Sequence, residues 1–168
     1  MAKVTHGIVR TDNMSATIDG SLIISGRFYG ADNRVADVDN GSLVLIGDYD
    51  TNEREVRKVT LPTPSSKIEN LGIVASPELI YDESTYHGLE EFYNEAGKEC
   101  TVLRFHANDI FSVTFDVIEG TPAKNKYLIA GSTTKYEVSS TATGTVIGKI
   151  VDIETVGADV YAVVQVTM

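Results

Sequence analysis

Short runs of β-branched residues, broken every few positions by Gly, Asp, Asn or Pro, set the rhythm of this chain. Two of them, Thr145-Val-Ile-Gly-Lys-Ile150 and Val160-Tyr-Ala-Val-Val-Gln-Val166, flank a polar turn around Gly157. They predict a strand pair that runs almost to Met168. Asp39-Asn-Gly41 is a turn signal, and residues 42–46 after it (Ser-Leu-Val-Leu-Ile) predict a further strand. Beyond a polar turn at 47–52, Val56, Val59 and Leu61 alternate through 53–61 and complete a hairpin. Pro62-Thr-Pro64-Ser-Ser66 is a stiff connector. Residues 71–75, Leu-Gly-Ile-Val-Ala, then read as a buried strand with 79–81 just after it. Segments 101–105, 110–118, 127–130 and 136–138 bring the expectation to nine or ten strands.

One stretch has a different period. Tyr86, Leu89, Phe92, Tyr93 and Ala96 recur at intervals of three and four, with Ser84 as N-cap and Gly97 as stop. The spacing predicts a short α-helix over 85–96. Gly88 inside it costs about 1 kcal/mol relative to alanine, so the helix depends on packing against the sheet. Residues 1–36 alternate only weakly, through Val4, Ile8, Val9 and 22–24. Asp19-Gly20 could turn a small hairpin between 16–18 and 22–24, or the segment is an arm that orders against a partner. The fold expected is mainly β: a compact β-barrel or sandwich with one short α-helix, preceded by an extended N-terminal segment. Residues 1–36 form the arm or hairpin and 37–168 the β-rich domain.

Composition fits this picture. The chain has 168 residues, 42% hydrophobic and 23% charged, with 14 glycines and no tryptophan. That is enough for one domain with a sizeable core. No apolar run approaches the roughly 20 residues that span a bilayer, and the N-terminus lacks the apolar core of a signal peptide. No membrane association is expected. The lone Cys100 excludes an internal disulfide framework and reads as a small core residue suited to a reducing cytosol. The net charge of −10 argues against nucleic acid as a partner. It is unevenly spread: residues 1–36 carry four bases against three acids, net +1, leaving −11 to the remainder.

Candidate chemistry is sparse. His6, His87 and His106 lie far apart without a second ligand at metal spacing. Asp48-Tyr-Asp50-Thr-Asn52 imitates the start of a calcium loop, but Glu53 and Val59 occupy the positions that need Gly and Glu. A hairpin turn explains those residues. Glu90 and Glu91 diverge by about 100° on a helix and make a solvated face rather than a facing pair. No nucleophile elbow, phosphate-binding loop or dinucleotide fingerprint occurs. No catalytic residue, metal or cofactor is expected. The enzymatic rival is a small hydrolase using Cys100, with His106 nearby, or the carboxylates of 82–95. Arg27-Phe-Tyr29 differs in kind, because arginine and aromatics are enriched at the centres of interfaces. With Arg10 and Arg34 it forms the candidate partner-binding set.

Asp39-Asn-Gly-Ser-Leu-Val-Leu-Ile-Gly-Asp48 and Glu53-Arg-Glu-Val-Arg-Lys-Val59 resemble lines from small structural proteins encoded in the head-assembly regions of tailed bacteriophages. So do 71–75, Asp109-Ile-Phe-Ser-Val-Thr114 and the closing pair. The resemblance covers residues 37–168 and rests on strand-and-turn patterns. It implies a β barrel that acts as a capsid decoration or cement protein. The partner implied is the major capsid protein, with a homo-oligomer of this chain as a second expectation. The location implied is the capsid surface of a virion assembled in the host cytoplasm. The alternative is a tail or baseplate component, equally β-rich, although the 62–70 connector is short for a ring-stacking loop.

Overall fold

The structure, a computed structural model, describes residues 5–79 and 88–168. Those residues form twelve strands: β1 (Val9–Asn13), β2 (Ile23–Phe28), β3 (Leu43–Asp50), β4 (Glu53–Thr60), β5 (Leu71–Val74), β6 (Glu99–Arg104), β7 (Ile110–Thr114), β8 (Ile118–Glu119), β9 (Tyr127–Ala130), β10 (Tyr136–Ser139), β11 (Val146–Val156) and β12 (Asp159–Val166). Five close into a barrel in the order β2-β4-β3-β5-β6, and seven form a sheet in the order β1-β7-β12-β11-β9-β10-β8. Pairing is antiparallel except at β2/β4 and β8/β10. The mainly-β barrel expectation holds.

The seven-stranded sheet is curled. β7 and β8 are separated in it by four other strands, yet only Phe115–Val117 connects them in the chain. A flat sheet would hold them about 24 Å apart at roughly 4.8 Å per strand. The link reaches about 14 Å at most. The expected single strand over 110–118 is therefore broken by a 3-10 turn, and its two halves sit near opposite edges.

Both cores follow from alternation along the barrel strands. On β3, Val44 and Ile46 point into the barrel with Phe28, Val59, Val74, Cys100 and Val102. Leu43, with Leu71, Ile73 and Leu103, points outward and packs against Phe111, Leu128, Ile147, Ile150 and Val164 of the sheet. Strands buried on both faces lose polar alternation, which is why 43–46 and 71–74 read as unbroken apolar runs. The barrel is narrow enough to need glycine. A Cβ on Gly72 would lie 2.5 Å from Val102 Cγ1 and 2.9 Å from the Leu103 carbonyl oxygen.

Two expectations are corrected. The α-helix over 85–96 is absent from its described part, while 85–87 lie outside the described residues. Leu89–Glu91 make a single 3-10 turn, Phe92 is extended, and Asn94 forms a β-bridge with Val38. Asn94 also donates from Nδ2 to the Val38 carbonyl and to Asn40 Oδ1. A buried amide satisfied this fully outweighs a helix already weakened by Gly88. The second correction concerns the leading segment. No hairpin forms between 16–18 and 22–24, where 3-10 turns occupy Ser15–Thr17 and Gly20–Leu22. Instead β1 edges the curled sheet and β2 closes the barrel, pairing with β6 from Ile23↔Leu103 to Arg27↔Glu99.

Candidate functional site

Arg27 and Phe28 end β2 and Tyr29 follows in a β-bridge with Val35, and alternation sends successive side chains to opposite faces. Phe28 turns into the barrel and is 5% exposed. This corrects its expected role as a partner anchor. Arg27 and Tyr29 lie on the outer wall, where Asp50 and Glu53 come round from the β3–β4 hairpin. Arg27 donates from Nη1 to Asp50 Oδ2 and from Nη2 to Glu53 Oε1, both at 2.9 Å, and from Nε to the Gly97 carbonyl at 3.1 Å. The Tyr29 hydroxyl donates to the same Asp50 oxygen at 2.9 Å. Glu99 Oε1 stands 4.0 Å from the guanidinium.

The electrostatics follow from that geometry. The hydrogen bond from Tyr29, supported by Arg27, holds the Asp50 carboxyl below its ordinary range. The same bond raises the Tyr29 phenol. Glu53 above all, then Asp50, raises the guanidinium still further from deprotonation. Lys58 Nζ sits 4.5 Å from the centre of the Tyr29 ring and donates to Asn33 Oδ1. Arg27 and Tyr29 are thus committed to a clasp within their own domain. An open cleft of about 390 Å³ lies beside it, lined by Ser25, Glu53, Arg54, Glu55, Val56 and Glu99.

Of the other two predicted residues, Arg10 lies on the curled sheet, while Arg34 follows the clasp on a turn, its carbonyl accepting from Gly30 N–H. Arg10 stacks over the Tyr161 ring at 4.6 Å on the curled sheet. The Arg34 side chain is 84% exposed, with Asp32 3.9 Å away. The structure therefore does not gather the five into one surface.

A feature that the sequence reading missed lies between β1 and β2. Met14 and Ala16 are buried, and Asp109, itself 2% exposed, accepts from both the backbone N–H and the hydroxyl of Ser15. Asp19 accepts from Ser21 N–H and hydroxyl, which lowers its carboxyl pKa. Between these fastenings Ile18 is 92% exposed, and Ile23 beyond the second turn is 46% exposed. The loop, tied to the body at Ser15–Asp109 and shaped by the local Asp19–Ser21 turn, presents aliphatic side chains to solvent. The available signal was Ile18 directly before an Asp-Gly turn, a place that ordinarily takes polar residues.

The remaining candidates fall into structural roles. His6 Nδ1 lies 2.7 Å from Asp39 Oδ1, its ring stacks on Tyr93 at 4.9 Å, and its backbone N–H donates to the Glu90 carbonyl. It ties the leading segment to the 88–94 stretch. Of the calcium-like residues, Asp48 to Asp50 end β3 and Thr51 and Asn52 alone make the β3–β4 turn, with Asp50 held by Arg27. Cys100 is inside the barrel, where burial pushes its thiol up to about 11. His106 is bonded to its neighbour, Nδ1 lying 3.2 Å from the Ala107 carbonyl oxygen. Among the described residues, no group of three or more His, Cys, Asp or Glu could hold a metal ion.

No protein-family model, curated protein or solved structure matches this chain.

Proposed function

We propose that this chain is a structural protein of a tailed-bacteriophage head, binding the outside of the assembled shell through the major capsid protein and stabilising it. The strand-and-turn likeness of residues 37–168 to head-region proteins motivates the reading, and the closed β-barrel is the architecture that likeness implies. The observation that carries it is the fastened loop at 14–23 with Ile18 outward. An ordered loop gives up little conformational freedom on docking, so burial of its aliphatic tip goes into affinity. Repetition over a shell lattice lets contacts of moderate strength add up. Loop 14–23 therefore takes the role first expected of Arg27 and Phe28, with Arg34 free to contribute at a rim.

The test is antibody labelling of virions together with binding of the purified protein to empty shells. Labelling of the head is expected. Ile18→Asp should weaken shell binding by about 2 kcal/mol or more, roughly thirtyfold, with an unchanged melting temperature. Label along the tail alone would favour the tail-component reading, and absence of label from virions would sink both. Undiminished shell binding by Ile18→Asp would remove loop 14–23 as the anchor while leaving the location standing.

A further inference from the structure

We draw no further inference here: the strongest candidate, the open cleft on the outer barrel wall between Ser25, Glu53, Glu55 and Glu99, is a cluster of acidic side chains beside an arginine, Arg27, that already answers Glu53 and Glu99, and nothing else in the structure points to a ligand for it.

Discussion

Arg27 reaches Asp50 at 2.9 Å although the strands that carry them are not neighbours, β4 lying between β2 and β3 in the barrel. The contact is a brace across the parallel seam of the barrel. Only three residue pairs, Gly26↔Arg57 to Phe28↔Val59, join the parallel strands β2 and β4. A planar fork serving two carboxylates and one carbonyl is something lysine cannot reproduce. Arg27→Ala should therefore lower the melting temperature clearly, and Arg27→Lys should recover little of the loss. Thermal unfolding by circular dichroism reads both. Equal stability of Arg27→Ala and the native chain would remove the brace.

A chain beginning at residue 37 loses β1 and β2 together. The barrel is left with a gap between β4 and β6, and Phe28 is gone from its core. Such a chain should not fold, giving poor amide dispersion and no cooperative melt. A well-dispersed spectrum from residues 37–168 would show that the leading segment is dispensable.

Glycines separate crowding from mere flexibility. Gly72→Ala puts a methyl against Val102 and the Leu103 backbone, and the cost expected of overpacking is about 1–3 kcal/mol. Gly20→Ala meets nothing within 4 Å and should stay within about 0.5 kcal/mol of the native protein. Chemical denaturation of the two variants measures the contrast, and equal stability would argue that the barrel has room to give.

Alkaline pH should be destabilising, through groups whose neutral form the fold protects. Burial raises the Cys100 thiol from 9.0 to about 11 and pushes the Tyr136 phenol well above its ordinary value. The folded state holds these protons more tightly than the unfolded chain. The stability they confer is therefore complete below the unfolded pKa and is lost as pH climbs from about 9 through the folded value. Cys100→Ala with Tyr136→Phe should flatten the decline. Tyr136→Phe alone should be neutral or stabilising by about 1 kcal/mol at pH 7, since its hydroxyl is buried with no hydrogen-bond partner among the described residues. Denaturant midpoints from pH 7 to 10 check the slope, and an unchanged slope in the double variant would place the effect elsewhere.

The hairpin at 42–61, the buried strand at 71–75 and the closing pair were readable because β-branched runs between turn residues leave the backbone few alternatives. The 85–96 spacing misled over its described part, where Leu89–Glu91 make one 3-10 turn and the chain turns extended at Phe92. There Asn94 finds partners on Val38 and Asn40, residues over fifty positions away. The leading segment looked poor in core residues for a related reason. β2 lines a narrow barrel, so Ile24, Gly26 and Phe28 suffice. Arg27-Phe-Tyr29 was visible as a cluster, but its direction was not, since the carboxylates that claim Arg27 follow 23 and 26 residues later. Ile18 was overlooked because a single aliphatic residue beside a turn carries no periodicity.

Strands β3, β5 and β6 wall the barrel on one face and support the curled sheet on the other. Neither body can then melt while its neighbour persists, for opening one strips a side from the other's interior. Amide protons on these three strands should exchange only through global opening and at a common rate. A protease cutting an exposed turn of the sheet would loosen the barrel as well. Damage in this molecule does not stay local.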